Sequence, residues 1–468
     1  MIPNFKPETP EEKDISYVLH ANTNAIKHQE IGPTIIERGD GVYVIDNHGR
    51  RYLEAVAGLW SVGVGFSEKR LVDAAAKQMS ILPWYHTMAH RATLPSIELA
   101  EKLIDMAPCA MSKVFFTSSG SEANDTVMKF LWYRSNAIGQ PQRKKFIVRN
   151  RAYHGVTAAT VCLTSAAVSS TDVPLNHQSF DLVVLDVIRV TCPDSYQERR
   201  PGESEEAFAT RLADELEQRI IEAGPETICA FFGEPLMAGA GAIVPPATYW
   251  EKIQKVLRKY DILLVIDEVV TGFGRTGRMF GCETFGITPD VLVLSKQLSS
   301  SYLPIAAILF NEKAVGPIVE QSGRIGTLAH GFTAGGHPVC AAVALENIRI
   351  IEEDGLVENS AAMGDRLLSG LRALESHPFV AEVRGAGLVA AVQLATDKAR
   401  RIALDPPGRL ATMVHEQMNE RGVLARTCGD AITFAPPMII NAEEIDQILD
   451  CLAQSLDAVQ QILDQKIT

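Results

Sequence analysis

The chain has 468 residues, of which 46% are hydrophobic and 22% are charged, and its formal net charge is −13. It is longer than the roughly 250–300 residues at which a single core stops growing, so we expect more than one domain. The acidic balance disfavours a surface for nucleic acid, although a local pocket for one phosphate remains possible. No run approaches the ~20 apolar residues that span a bilayer, and the polar N-terminus predicts no secretory signal.

The eight cysteines are scattered along the chain, and none lies in a CxxC pair or at zinc-ligand spacing. In a chain of this length, such spacing is typical of reduced, buried thiols rather than of a disulfide framework. We therefore expect a cytoplasmic protein without a metal site.

The predicted elements begin with a loose arm over residues 1–20, which are polar and proline-rich. A turn-forming cluster, DNHG, lies between two β-rich runs and predicts a hairpin over Gly41–Val56. From about Leu71 to Ala344, amphipathic stretches alternate with short apolar runs, which is typical of parallel strands covered by helices. Those runs are KVFFTS, KFIVRN, DLVVLD, ICAFFGEP, ILLVIDEVV and VLVLSK.

The C-terminal part follows a different pattern. Here VAEVRGAGLVAAVQL, GVLART and AITFAPP predict strands of a smaller sheet. A final helix is predicted because apolar residues recur at helical spacing from Ile445 to Leu463, after a capping box of Asn441 and Glu444. The predicted fold class is therefore α/β. A large domain (71–344) has a mostly parallel central sheet, and a smaller α+β domain is built from both chain ends (1–70 and 345–468).

Two predicted strands end in charged residues, at the edge of an α/β sheet where ligands bind. Lys296 ends VLVLSK, where partial burial favours the neutral amine that attacks an aldehyde. Asp267 follows ILLVI, where a carboxylate needs a positive partner such as a pyridinium nitrogen. Simpler interpretations exist for both: a lysine that reaches water, which is the more common case, and an aspartate that caps a turn or pairs with Arg275.

A third strand, in KVFFTS, leads through a Ser/Gly turn into a helix. Ser119 and Glu122 match a capping box, and Ser119, Gly120 and Ser121 would offer hydroxyls and backbone N–H groups to a phosphate. The same pattern also suits a well-capped helix without a ligand. It is not a P-loop, because no Lys-Ser or Lys-Thr follows the glycine.

Taken in order, the motifs SSGSEAND, YHG, GEP, DEVVTGFGRTG, LSKQL and HGFTAGGHPV cover much of the chain. This ordered set resembles the class III aminotransferases, which have the pyridoxal-phosphate-dependent transferase fold type I. The likeness extends from ERGDGVYVIDNHGRRYLEAVAG to APPMII. It is closest to the pyruvate-dependent omega-amino acid and amine transaminases.

The resemblance implies that pyridoxal 5′-phosphate is bound covalently to Lys296, which then shuttles a proton. Asp267 would pair with the pyridine nitrogen, and Val269 and Tyr153 would lie on opposite faces of the ring. The other implied cofactor residues are Ser119, Gly120, Ser121, His154, Glu234 and, from the neighbouring subunit, Phe332 and Thr333. That last contribution implies a homodimer or a dimer of dimers.

The implied substrate pocket contains Trp60, Tyr153 and Arg426. Arg426 matches a mobile arginine that pairs with the carboxylate of the acceptor, for which a guanidinium fork is well suited. Core packing would equally explain the tryptophan, and a surface salt bridge would explain the arginine. Because we see no further arginine for a second carboxylate, pyruvate is the expected acceptor, whereas the donor stays open among β-alanine, diamines, taurine and arylalkylamines.

Three alternatives remain at this stage. One is another pyridoxal reaction on the same fold, such as that of an aminomutase or a decarboxylating transaminase. A nicotinamide-dependent dehydrogenase is a weak alternative, since Gly63-Val-Gly65 and Gly385-Ala-Gly387 lack a full GxGxxG. The third is a binding protein without catalysis. A serine hydrolase is disfavoured, because the sequence contains no GxSxG motif.

Overall fold

The computed structural model describes residues 7–165, 180 and 185–465, which form three sheets and the helices around them. The strands are β1 (Ile36–Asp40), β2 (Tyr43–Asp46), β3 (Arg51–Glu54), β4 (Lys113–Thr117), β5 (Lys145–Arg149), β6 (Val187–Val190), β7 (Ile228–Gly233), β8 (Leu263–Asp267), β9 (Val291–Leu294), β10 (Ala306–Phe310), β11 (Val380–Ala386), β12 (Val389–Leu394), β13 (Val423–Leu424), β14 (Arg426–Cys428) and β15 (Ala431–Phe434).

Helices pack against each of the three sheets. They are α1 (Pro10–Tyr17), α2 (Ala25–Ile31), α3 (Ala57–Trp60), α4 (Lys69–Ile81), α5 (Leu94–Met106), α6 (Gly120–Ala137), α7 (Ser195–Glu198), α8 (Glu205–Ala223), α9 (Tyr249–Lys259), α10 (Gly281–Phe285), α11 (Glu312–Ile325), α12 (Pro338–Glu353), α13 (Leu356–Ala373), α14 (Arg409–Glu420) and α15 (Ala442–Asp464). Among the residues described, no helix has both the length and the apolar character that crossing a bilayer requires.

The central sheet has seven strands in the order β4-β10-β9-β8-β7-β5-β6. The five strands from β9 to β6 are parallel, whereas β10 is antiparallel to both of its neighbours. Alternate residues of β8 enter different cores: Leu264 and Ile266 belong to one cluster, Leu263 and Val265 to another. This alternation places a hydrophobic core on each face of the sheet, which explains why the strands are apolar on both faces.

The mostly parallel sheet confirms the predicted fold class, and five of the six predicted apolar runs contain a strand. The sixth run, DLVVLD (181–186), falls largely outside the described residues, because only 185 and 186 are described and they precede β6. The reversed strand β10 was not predicted. A short apolar run shows that a strand is buried but carries no information on its direction.

The two smaller sheets lie around a third core. In one, β13 pairs in parallel with β3, so this sheet joins the two ends of the chain. The predicted capping box of α15 is present, with Asn441 accepting from the Glu444 N–H at 3.0 Å and returning its own N–H at 3.0 Å. The expectation of a loose arm was wrong for residues 10–17, since Thr9 caps helix α1 through a Thr-x-x-Glu box.

Candidate active site

The carboxyl ends of five strands meet at one edge of the central sheet. Strands β4 and β9 are both antiparallel to β10, so they run in the same direction as β8, β7 and β5. Most of the predicted site residues follow these ends, namely Ser119 and Gly120 after β4, Tyr153 and His154 after β5, Glu234 after β7, Asp267 in β8 and Lys296 after β9. The fold therefore brings together residues that are up to 177 positions apart in sequence (296 − 119).

Asp267 is only 5% exposed and is held by three hydrogen bonds. One carboxylate oxygen accepts from Asn124 Nδ2 at 2.8 Å and lies 2.9 Å from His154 Nδ1, and the other accepts from the Val269 N–H at 3.1 Å. These contacts fix the orientation of the carboxylate. Asn124 was missed from the sequence, although it lies three residues before Val127 on the apolar side of helix α6.

Lys296 begins a 3₁₀ turn directly after β9, and its φ is +44°. A left-handed backbone disfavours any residue with a side chain, typically by about 1–2 kcal/mol, so the turn needs support. Asn347 donates to the Gln297 carbonyl at 2.6 Å, and Arg275 donates to the Gln297 side chain at 3.0 Å. Arg275 therefore holds the lysine turn, and the alternative in which it pairs with Asp267 is not observed.

The surroundings of Lys296 lower the pKa of its amine to about 8, mainly because burial disfavours the charged form. Arg426 lowers this pKa further, whereas Asp267 and Glu234 act in the opposite direction. The amine nitrogen lies 5.6 Å from the centre of the Trp60 ring. A much larger fraction of this lysine is therefore neutral, and hence nucleophilic, near pH 7 than of a solvated lysine.

Helix α6 begins at the same edge. Ser119 accepts from the Glu122 N–H at 3.2 Å, while the Glu122 carboxylate accepts from Ser118 at 2.9 Å, one residue earlier than in the predicted box. A Cβ on Gly120 would lie 3.1 Å from the Val269 side chain, so glycine lets the helix start approach the chain after β8 without pushing Val269 aside. The free N–H groups of this turn are suited to an anion.

The Tyr153 loop packs against that helix start. Ser121 accepts from the Val156 N–H at 3.3 Å, and a Cβ on Gly155 would lie 2.9 Å from the Cα of Ser121. The backbone N–H of Tyr153 donates to Glu234 at 3.3 Å, while its side chain is 43% exposed. The loop thus has a fixed backbone and an aromatic ring that remains available for stacking.

Trp60 and Arg426 lie together at the opening of the site. The guanidinium carbon of Arg426 is 4.9 Å from the centre of the Trp60 ring, so this ring contacts the cations of both Arg426 and Lys296. Trp60 is 6% exposed and also belongs to a small apolar cluster. Within the described part of the chain, Arg426 has no salt bridge, and its buried Nε has no hydrogen-bond partner.

Phe332 and Thr333 lie in the segment before helix α12. The Phe332 ring contacts His330 at 5.2 Å between ring centres, and Thr333 is exposed. In the described part of the chain neither makes a hydrogen bond or ring contact with Lys296 or Asp267.

The polar segment 190–206, which had no predicted role, supports the Tyr153 loop. Asp194 is 1% exposed and forms an ion pair with Arg151 at 2.6 Å. Arg151 also donates to the Ala240 carbonyl at 2.9 Å. Arg151, two residues before Tyr153, thus bonds both to the 190–206 segment and to Ala240.

A family model described as aminotransferase class-III matches residues 25–456, which is most of the chain. The chain belongs to the class III aminotransferases. Accordingly it is an enzyme that transfers amino groups, and enzymes of this class use pyridoxal phosphate. The dehydrogenase alternative is therefore wrong, and so is that of a binding protein without catalysis.

Two solved structures and one curated protein illustrate the similarity. An omega transaminase from Pseudomonas jessenii in complex with PMP is 55% identical, with a TM-score of 0.94 over 97% of this chain and 99% of that one. A transaminase with L-ala is 57% identical, with a TM-score of 0.89 over 92% and 100%. Gamma aminobutyrate transaminase 1, mitochondrial, from Solanum lycopersicum is 43% identical over 93% of this chain and 84% of that protein.

The residues at this edge fit the cofactor of class III aminotransferases. They include the Lys296 amine, whose pKa is lowered, and the buried Asp267 carboxylate. They also include the start of helix α6, where Gly120 packs closely against Val269. In addition, Asn124 Oδ1 and His154 Nε2 are buried without hydrogen-bond partners. Buried polar atoms of this kind normally need a partner, which a polar ligand or water would supply.

Proposed function

We propose that the chain transfers an amino group from an omega-amino acid or amine to pyruvate, with pyridoxal phosphate bound covalently to Lys296. One observation carries this proposal: Lys296, with a pKa of about 8, and Asp267 lie at the ends of the adjacent parallel strands β9 and β8. Pyridoxal phosphate carries an aldehyde and a pyridine nitrogen on one ring. An amine that bonds to the aldehyde and a carboxylate that pairs with the nitrogen must therefore lie near each other.

When bound, pyridoxal phosphate supplies an electron sink for the bond that breaks at the substrate carbon. Lys296 Nζ would accept the proton from that substrate carbon and hold it for return, a general acid–base step worth typically 10²–10⁴-fold. Asp267 would pair with the ring nitrogen, while Asn124 and His154 hold its carboxylate in place. The helix start at Gly120 would hold the phosphate.

The substrate side of the proposal rests on Trp60 and Arg426. Arg426 pairs with the carboxylate of the keto acid, which would satisfy its unpartnered Nε. Trp60 limits the size of the group attached to the amine. The similar transaminase with L-ala supports pyruvate as acceptor, because alanine is its aminated product, and the gamma aminobutyrate transaminases support a donor with a terminal amine.

A direct test mixes the holoenzyme with pyruvate and a panel of amines, including β-alanine, γ-aminobutyrate, putrescine, taurine and an arylalkylamine. Alanine formed without carbon dioxide is expected, and Lys296→Ala serves as the inactive control. Carbon dioxide release would indicate a decarboxylating transaminase. Turnover with 2-oxoglutarate but not with pyruvate would contradict the proposed acceptor.

We further propose a homodimer, or a dimer of dimers, in which Phe332 and Thr333 complete the partner's phosphate site. Thr333 is exposed and, in the described part of the chain, makes no hydrogen bond with Lys296 or Asp267, which supports this arrangement. Several large apolar side chains are also exposed in the arm and in the segment after α4, an unusual pattern for a monomer. They are Tyr17, Leu19, Ile26, Ile31, Trp84, Tyr85 and Met88.

Subunit complementation tests this arrangement. Thr333→Arg should block the partner's phosphate site, and Lys296→Ala should inactivate its own. When the two inactive variants are refolded together, mixed dimers contain one intact site, so roughly a quarter of wild-type activity should return. Recovery of no activity from confirmed mixed dimers would contradict a shared site.

A further inference from the structure

We infer that Glu54 is a positioning residue that holds the turn bearing Trp60 and thereby sets which amines the site accepts. The inference rests on the proposed function of Trp60 as a wall of the substrate pocket. Glu54 ends strand β3, six residues before the tryptophan, and was not singled out in the sequence.

The turn that carries Trp60 has an unusual backbone. Three of the four residues in Ala57–Trp60 have positive φ, with +50° at Ala57, +67° at Gly58 and +56° at Trp60. Alanine and tryptophan rarely adopt this region, because their side chains clash with the backbone there. Such a conformation persists only where neighbouring groups impose it, and strained turns of this kind occur often at functional sites.

The Glu54 side chain supplies the acceptor that holds the turn in this conformation. Its carboxylate accepts from the backbone N–H of Gly58, at the centre of the turn. The backbone of Glu54 is fixed in turn, since its N–H donates to the Val42 carbonyl at 2.9 Å and β3 pairs with β2 and β13. One carboxylate thus links the turn that carries Trp60 to the small sheet.

Glu54 is 6% exposed, and the charged groups that face it come from other elements. Arg275, which also holds the Lys296 turn, attracts the carboxylate, but burial outweighs that attraction and raises the pKa of Glu54 to about 7. Glu54 also lines a cavity of about 360 Å³ together with His415 and Arg426. No full salt bridge anchors Glu54 among the described residues, so its bond to the turn is its main polar contact.

The consequence reaches the site through the Trp60 ring, which lies 5.6 Å from Lys296 Nζ and 4.9 Å from the guanidinium of Arg426. Loss of the Glu54 acceptor would let the turn relax and the ring shift. The space beside the reacting amine would then change, whereas the hydrogen bonds that hold Asp267 and the Lys296 turn do not involve Glu54. We therefore expect KM and amine selectivity to change more than kcat.

The experiment is a double-mutant cycle on the holoenzyme, with kcat/KM measured for a bulky amine, 1-phenylpropylamine, and a small one, 2-aminopropane. Glu54→Ala should shift the ratio of the two values in the same direction as Trp60→Ala, by about fivefold, and add little to it in the double variant. Glu54→Gln, whose amide oxygen can still accept from Gly58, should restore a near-wild-type ratio.

The matched control is Asp430→Ala, because Asp430 accepts from the N–H of another left-handed glycine, Gly408, at 2.7 Å. It should leave the amine ratio unchanged. Equal loss with both amines in Glu54→Ala, or additive effects with Trp60→Ala, would show a merely structural role and overturn the inference alone. No change of the ratio in Trp60→Ala would overturn both the inference and the proposed role of Trp60.

Discussion

The cofactor side and the substrate side of the site are built differently. Asp267 and Lys296 lie at the ends of adjacent central strands, with hydrophobic cores on both faces of the sheet. Trp60 lies on a strained turn, Arg426 on the edge strand β14 of a small sheet, and Tyr153 on a loop. The proposed cofactor residues thus lie on the central sheet, whereas the residues proposed to distinguish substrates lie on a turn, a loop and an edge strand.

The largest effect expected from this contrast follows from Lys296→Ala. The variant should lose about 10⁴-fold or more in kcat, because both the covalent anchor and the proton carrier are removed. Its spectrum should also lack the absorbance of a protonated Schiff base. Lys259→Ala, at a surface lysine paired with Glu217, is the control. Activity within tenfold of wild type would contradict the assignment.

Asp267→Asn tests whether the carboxylate acts through its charge. The amide can still bond to some of the neighbours of Asp267, so folding should be retained, but the ring nitrogen loses its counter-charge. We expect kcat to fall about 10²–10³-fold, the range seen when one preorganised electrostatic group is removed. Similar effects on all amines would support the cofactor role, whereas an effect confined to one amine would place Asp267 on the substrate side.

Arg426→Ala should act selectively. We expect the KM for pyruvate to rise about 10–100-fold, because a charge-assisted bidentate contact is lost, with little change in the half-reaction of an amine that has no carboxylate. Single-turnover kinetics with each substrate separate the two effects. Arg400→Ala, at an exposed arginine near Asp397, is the control. If Arg426→Ala impaired both half-reactions equally, the contrast between the cofactor side and the substrate side of the site would not hold.

The smallest effect is a dependence on pH. With a pKa of about 8, roughly a tenth of Lys296 is neutral at pH 7, compared with less than about a thousandth for an ordinary lysine. Since the neutral amine is the form that reacts, the rate of pyridoxal phosphate uptake by the apoenzyme should rise about tenfold between pH 7 and 9 and then level off. A rate that still rises steeply above pH 9.5 would mean that burial does not lower this pKa.

The proposed reactive pair, Lys296 and Asp267, could be singled out because its signals are local. Each residue ends an apolar run, and the rule that ligands bind at the carboxyl edge then places the two ends together. Asn124 and Glu54 could not be found in this way. Asn124 lies opposite Asp267 only in the folded chain. The contact of Glu54 with Gly58 spans only four residues, but it depends on a left-handed turn that the local sequence does not indicate.

Domain limits and strand direction show a further boundary of sequence reasoning. The division at 70 and 344 stays a prediction, because pattern changes along the chain do not reveal which cores form one unit. Apolar runs likewise indicate that a strand is buried on two faces, but they do not indicate the direction in which the strand runs. A helix prediction for 10–17 was available from the Thr-x-x-Glu box at Thr9, although the polar composition favoured a loose arm.

The reversed strand β10 has one consequence for the shape of the edge. Its amino end lies where its neighbours β4 and β9 present their carboxyl ends, so the row of functional side chains has a gap at this position. The turn after β4 passes across that gap, and a Cβ on Gly120 would lie 3.1 Å from Val269 and 3.8 Å from Ser295. A single antiparallel strand thus lets the helix start face a lysine that is two strands away.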